Sequence, residues 1–139
     1  MVHLSRLFMF AVALALASSS AHAATLTFST TLLGSHEVPA NASPGTGSVT
    51  VTLDTTAATL QIIASFSGLT ANATMAHIHC CAPLGTNVGV ATTLPAFAGF
   101  PLGMTFGTYN SPIFSLSDSS LYNPAFVTLE GGLPQASYR

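Results

Sequence analysis

Two histidines and two cysteines lie within five residues, in the segment His77-Ile78-His79-Cys80-Cys81. Imidazole and thiolate groups are the ligands that Zn and Cu favour, and cysteines also carry redox chemistry. In a β-strand, residues two apart point to the same face, with Cα atoms about 6.6 Å apart at a rise of roughly 3.3 Å per residue. If the segment is a strand, His77 and His79 can therefore chelate one ion.

The histidine content of the chain limits this site to one ion. His3 and His22 lie in an N-terminal segment that we expect to be removed, so His36 is the remaining imidazole. Three imidazoles can hold a single Cu or Zn ion with an open coordination position, but not a bridged pair of metals. The candidate metal ligands are His77, His79, His36 and Cys81. The alternative is that no cofactor is bound and that these imidazoles hydrogen-bond to backbone carbonyl oxygens of the sheet.

Cys80 and Cys81 are the two cysteines of the chain, so any intramolecular disulfide joins adjacent residues. Across a trans peptide their Cα atoms lie about 3.8 Å apart, which is shorter than the usual disulfide span of roughly 4.4 to 6.8 Å. Three states remain open in an oxidising compartment: a vicinal disulfide, an intermolecular disulfide, and reduced or metal-ligating thiols. On a regular strand Cys81 would share the face of the two histidines, whereas Cys80 would point away.

Residues 1–23 have the pattern of a secretory signal peptide. Arg6 supplies the positive start, residues 7–17 form the apolar centre, and Ala21-His22-Ala23 is a small-residue cleavage site. The mature chain is then expected to begin at Ala24 and to form a single domain, residues 24–139. We therefore expect a secreted protein, extracellular or periplasmic, with no transmembrane span after cleavage.

The chain is almost free of charge, with four acidic and two basic residues among 139. Because Arg6 belongs to the signal peptide and lysine is absent, the mature domain has no basic surface for phosphates. We therefore expect no nucleic-acid partner. Few charges also mean little protection of sheet edges against pairing, which allows self-association or binding to an extracellular protein or surface component. The alternative is a soluble monomer with a surface of threonine and serine.

Alternation of apolar and hydroxyl residues predicts half-buried β-strands. It is clearest in residues 26–30 and 49–54, and an apolar run follows in residues 61–66. Further short strands are expected at 75–79, 113–116 and 125–129, and residues 81–107, rich in proline and glycine, are expected to form a long ordered loop. Asp54-Thr55-Thr56 is expected to connect neighbouring strands as a short hairpin. Short turns favour antiparallel pairing, so the sequence predicts one all-β domain, a β-sandwich or a Greek-key barrel.

Four short motifs follow one another along the predicted strands. Glu37-Val38-Pro39 follows the first strand, Gly45-Thr46-Gly47 opens the second, and Ser67-Gly68-Leu69 leads to Ala76-His77-Ile78-His79. In this order they resemble the CHRD domain family, named for chordin and common in secreted bacterial proteins. The resemblance covers about Thr25 to Thr128. The His-Cys-Cys and Tyr-Asn-Pro-Ala-Phe segments are most similar to the bacterial branch.

This resemblance implies an extracellular β-sandwich that binds a partner or contributes to surface architecture. Such domains usually close with a strand that carries Asn-x-His-Thr and Gly-Glu-Ile-Arg-Gly segments, and neither precedes Tyr138-Arg139. We therefore expect the domain to be incomplete at its C-terminus. A sheet without its closing strand exposes unpaired backbone groups and part of its apolar face.

Enzyme motifs are missing from the sequence. It has no G-x-S-x-G elbow, no phosphate-binding loop and no H-E-x-x-H helix. Glu37 and Asp54 are a poor match to the two catalytic carboxylates of a glycosidase, because the chain has no tryptophan on which a sugar ring could stack. We therefore predict a binding or structural module without catalytic activity, with a mononuclear Cu or Zn protein as the alternative.

Overall fold

The computed structural model describes residues 24–37, 39–83 and 86–133 of the chain. The predicted signal peptide, Val38 of the Glu37-Val38-Pro39 motif and the final segment, residues 134–139, lie outside the described residues.

The described residues form one antiparallel sheet of five strands. The first three strands are nine residues long and pair in chain order: β1 (Thr25–Leu33), β2 (Thr46–Asp54) and β3 (Thr59–Ser67). The short strands β4 (Gly107–Asn110) and β5 (Phe114–Ser115) both pair with β3. The prediction of an all-β antiparallel domain is confirmed, and in the described residues the sheet is open, not closed into a barrel.

Strand register gives the sheet an apolar inner face. Phe28 on β1 lies beside Val51 on β2, which lies beside Ile62 on β3. Leu26 and Leu53 are neighbours in the adjacent row. Because side chains alternate between faces with a period of two, every second residue of the three long strands contributes to this surface.

The outer face of the sheet is an array of hydroxyl groups. Ser29 Oγ lies 2.9 Å from Thr50 Oγ1, and Ser48 Oγ lies 3.0 Å from Ser65 Oγ. Ile63 interrupts this array and is 52% exposed. Paired hydroxyls of this kind keep a sheet surface hydrated without charge.

A side-chain hydrogen bond sets the tight connection between β2 and β3. Asp54 Oδ1 accepts hydrogen bonds from the backbone N–H of Thr56 at 2.9 Å and of Ala57 at 2.8 Å. Carboxylates at the first position of a turn favour this arrangement. The short hairpin predicted at Asp54 is therefore present.

The hydrophobic core lies over β3 and its neighbour β4. The chain that follows β3 folds back across this half of the inner face. Apart from the short strands β4 and β5, one 3₁₀ turn (Ser119–Leu121) and one short helix, this chain is irregular in the described residues. Nine hydrophobic residues are buried there: Leu60, Ile62, Ala64, Ala91, Phe97, Tyr109, Leu121, Tyr122 and Phe126. The layer opposite the sheet is thus built from irregular chain in the described residues.

β1 differs from the prediction of a half-buried strand. All of its residues except Leu33 are exposed, and Phe28 retains 58% of its accessible surface. The physical reason is that the covering chain packs over β3 and β4 and leaves the inner face of β1 open.

Two of the predicted short strands have other conformations. Residues 75–79 make isolated bridges instead of a strand, with Ala76 opposite Ala96 and His79 opposite Val90. Residues 125–129 belong to helix α1 (Pro124–Leu129), because the Asn123 side chain caps the N–H of Ala125 at 3.0 Å and proline occupies the first turn. The predicted strand at 113–116 is present as the shorter β5. The described residues of the predicted loop contain no regular strand before Gly107, where β4 begins.

Candidate functional site

The uncovered part of the inner face forms an open groove of about 950 Å³. Phe28 and Val51 belong to its floor, residues 69–79 line it from the irregular chain, and Phe97 and Phe100 also border it. Most of this lining is apolar, and the volume is near the upper end of the range of about 300 to 1,000 Å³ for ligand sites. The groove is therefore large enough for an extended segment of another molecule.

Glycines from two of the sequence motifs are chain neighbours of residues that line this groove. Gly47 lies on the inner face of β2, where a Cβ would contact Ser65 O and stand 3.2 Å from Leu32 Cδ1. Gly68 ends β3 with φ of 70°, a conformation that favours glycine. The N–H of Leu69 then donates to Thr105 O at 3.2 Å, so the chain turns across the sheet at this point.

Backbone contacts position the two histidines on one side of the irregular chain. The N–H of Ala76 donates to Pro95 O at 3.0 Å, and the N–H of Ile78 donates to Thr92 Oγ1 at 2.8 Å. The imidazoles of His77 and His79 lie together, with ring centroids 4.9 Å apart and planes inclined at 56°. Both residues line the groove. The expected common face is present even though the segment is not a regular strand.

The two imidazoles differ in their Nδ1 environments. His79 Nδ1 lies 2.6 Å from Val88 O. Because a carbonyl oxygen only accepts, Nδ1 is the donor in this contact, and in the neutral ring Nε2 then has the lone pair. His77 Nδ1 is buried and has no hydrogen-bond partner among the described residues. Because Nδ1 of His77 is closed to solvent, an external ligand can reach that ring only at Nε2.

The other two proposed metal ligands are not assembled with this pair. His36 lies exposed at the end of the 3₁₀ turn Gly34–His36. Across residues 24–37, 39–83 and 86–133, no three His, Cys, Asp or Glu side chains form a group that could hold a metal ion. The sequence predicted the histidine pair, but the structure does not bring a third ligand to it from the described residues.

The structure joins Cys80 and Cys81 in a vicinal disulfide across a cis peptide bond. Cys80 is half-buried and packs against the core, whereas Cys81 is exposed. The sequence had left this state, the vicinal disulfide, open beside an intermolecular disulfide and reduced or metal-ligating thiols. The expected position of Cys81 on the histidine face assumed a regular strand, and residues 77–81 do not belong to one.

The groove itself was not predicted from the sequence. Leu26, Phe28 and Leu32 lie on the apolar side of β1. The alternation in residues 26–30 identified that side, but alternation says nothing about which chain covers it. All three side chains are exposed in the structure.

Comparison with known proteins identifies one family. A family model described as the CHRD domain matches residues 28–108. The matched range contains the floor of the groove, its wall at residues 69–79 and the histidine pair. No curated protein and no solved structure gives a significant match. Within the described residues, no helix has the length and apolar character needed to cross a membrane.

Proposed function

Because the chain belongs to the CHRD domain family, we propose that it is a secreted or cell-surface module that binds a partner or contributes to surface architecture, without a catalytic step. The observation that carries this proposal is the uncovered apolar groove beside the exposed strand β1. The signal-peptide pattern of residues 1–23 supports an extracellular or periplasmic location.

The edge of β1 indicates how a partner would bind. β1 pairs with β2 on one side, and the described residues provide no strand on its other side. It is nine residues long and contains neither charge nor proline, the features that usually protect an edge from pairing. An extended segment of an extracellular protein or surface component can add to such an edge through main-chain hydrogen bonds.

The groove supplies side-chain recognition for the same segment. Alternate side chains of an added strand point to the inner face, where Phe28 is 58% exposed and Leu32 is 40% exposed. The remaining side chains point to the hydroxyl-rich outer face. The preferred partner is therefore an uncharged strand that alternates apolar and hydroxyl residues.

A peptide of this kind tests the proposal. We expect a fluorescent nine-residue peptide of alternating valine and threonine, with lysine outside both ends for solubility, to bind the purified chain in an anisotropy titration. The matched control peptide has proline at its centre, which removes a donor and prevents strand pairing. Equal binding of the two peptides, or no binding of either, would contradict the proposal.

Matched variants of the chain locate the binding site. Phe28→Lys places a charge on the inner face at the β1 edge, and Ile63→Lys places the same charge on the outer face of β3, where the side chain is 52% exposed. Phe28→Lys should weaken peptide binding, whereas Ile63→Lys should leave it unchanged. If both variants bind like the wild type, the peptide site is not at β1.

A specific observation favours a second candidate function, the binding of one Cu or Zn ion by His77 and His79. Their ring centroids are 4.9 Å apart, and the Nδ1 contact of His79 leaves its Nε2 lone pair for a ligand. Two protein ligands leave coordination positions for water or another donor. On this reading the metal would lie at the border of the groove.

Elemental analysis of the purified chain after exposure to Cu or Zn tests this candidate. We expect about one ion per chain, as metal binding at a defined site is stoichiometric. The double variant His77→Ala with His79→Ala should retain none, and the control His36→Ala should bind like the wild type, because His36 lies apart from the pair. Less than about a tenth of an ion per wild-type chain would reject the candidate.

A further inference from the structure

We propose that the strand added to β1 is the β1 strand of a second copy of this chain, in a symmetric antiparallel dimer. This inference rests on the proposed function, because it names the partner of the same edge. It is based on the sequence of β1 (Thr25–Leu33). This strand is nine residues long, has no charge and alternates apolar with hydroxyl residues, and these are the features that its edge favours in a partner.

The register of this pairing follows from the length of the strand. Maximum overlap of two antiparallel copies pairs each end of β1 with the opposite end of the other copy and places Ser29 on the two-fold axis. Leu26 then lies opposite Leu32 of the second copy, and Phe28 lies opposite Thr30. Paired residues are then both even-numbered or both odd-numbered. Inner-face side chains therefore lie opposite inner-face side chains, and outer-face side chains lie opposite outer-face side chains.

The pairing continues the inner face across the two-fold axis. Leu26, Phe28 and Leu32 are exposed in the single chain, at 42%, 58% and 40%. In the dimer each would gain a cross-strand neighbour, and pairs of this type stabilise sheets. The two grooves would then form one continuous apolar surface.

The outer face also extends without conflict. The single chain already has hydroxyl pairs across neighbouring strands, such as Ser29 with Thr50 at 2.9 Å and Ser48 with Ser65 at 3.0 Å. The junction between the two β1 strands, here called the seam, would add one further pair, Ser29 with Ser29 of the second copy. A two-fold axis brings like residues together, so a charge near it would repel itself, and β1 has no charge.

The mass of the purified chain as a function of concentration tests the dimer. Sedimentation equilibrium between about 1 and 200 µM should show a shift from one chain mass toward two, because pairing along one strand is a small interface and a weak complex is expected. A single chain mass throughout this range would overturn the proposal.

Phe28→Lys and Ile63→Lys again form a matched pair. By symmetry Phe28→Lys alters two cross-strand pairs of the dimer, so the dissociation constant should rise roughly tenfold. Ile63→Lys adds the same charge away from the seam and should dimerise like the wild type. Equal weakening by both variants would point to a general effect of charge and overturn the assignment to β1.

Disulfide trapping measures the register directly. Ser29→Cys should form a covalent dimer under mild oxidation, because only the residue on the two-fold axis faces its own copy. Thr27→Cys and Thr31→Cys should each remain monomeric alone and crosslink when mixed, because residue 27 faces residue 31. Far-ultraviolet circular dichroism of each variant checks that the sheet is retained. Any other crosslinking pattern would overturn this register.

The outcomes separate this inference from the proposed function. A chain that stays monomeric but binds the valine–threonine peptide at β1 refutes the dimer and leaves the binding function intact. A chain that dimerises with the expected crosslinks but binds no peptide supports the dimer and refutes the proposed binding of a strand from another molecule. Neither dimer nor peptide binding would refute both.

Discussion

Tyr109 shows how one residue connects the sheet to the chain that covers it. It is buried on β4, its ring lies 5.2 Å from the ring of Phe100 between centroids, and its hydroxyl donates a hydrogen bond to Ala98 O at 2.9 Å. Both partners belong to the irregular chain that borders the groove. Tyr109 therefore stabilises the covering layer against β4.

We expect Tyr109→Phe to lower the free energy of unfolding by about 1 kcal/mol near pH 7, because Ala98 O loses its donor. Burial raises the pKa of Tyr109 from its ordinary value of 10.0. The folded state thus holds the hydroxyl proton more firmly than the unfolded state, and this contribution is complete below pH 10 and is lost as the pH rises through the higher folded pKa.

Urea denaturation of the wild type and Tyr109→Phe between about pH 7 and 11 measures this difference. The stability gap between the two proteins should narrow above pH 10. Burial also raises the pKa of Tyr122, but that residue is present in both proteins and its contribution cancels. A gap that stays constant or widens at high pH would contradict the assignment.

Among the strands, β3 has the greatest contrast between its two faces. Ile62 points into the core and is 4% exposed, whereas its neighbour Ile63 points outward and is 52% exposed. The same residue type therefore occurs at adjacent positions in opposite environments. This pair makes the orientation of the central strand testable.

We expect Ile62→Ala to lower the free energy of unfolding by about 2 to 5 kcal/mol, because it removes buried methyl groups and leaves a cavity. Ile63→Ala should change it by less than about 0.5 kcal/mol, as is usual for exposed positions. Thermal or urea unfolding of both variants measures the two effects. Similar losses for the two would mean that the faces of β3 are not those described.

The strands were predictable from sequence because alternation has a local cause. The patterns at 49–54 and 61–66 correspond to β2 and β3, and Asp54 indicated the hairpin between them. Exposure of β1 was not predictable, since it depends on where a chain more than 40 residues away packs. Likewise, His77 and His79 could be paired from their spacing, but the distance of His36 from them depends on the tertiary fold.

The whole molecule combines a one-sided core with a surface that has little charge. Buried residues concentrate over β3 and β4, and β1 extends beyond this cover with an apolar inner face and a hydroxyl outer face. The chain has six charged residues of the Asp, Glu, Lys and Arg types, 4% of its length. Association between copies must therefore depend on backbone pairing and apolar contact.

This dependence predicts an unusual insensitivity to salt. Raising NaCl from about 50 to 500 mM shortens the screening length severalfold, yet the dissociation constant of the β1-paired dimer should change by less than about twofold, since no charge lies at the seam. Ammonium sulfate should tighten the dimer, because excluded salts strengthen apolar burial. Sedimentation equilibrium in each salt measures both effects. A tenfold weakening in NaCl would instead indicate charged contacts, and the two copies would then have to meet somewhere other than along β1.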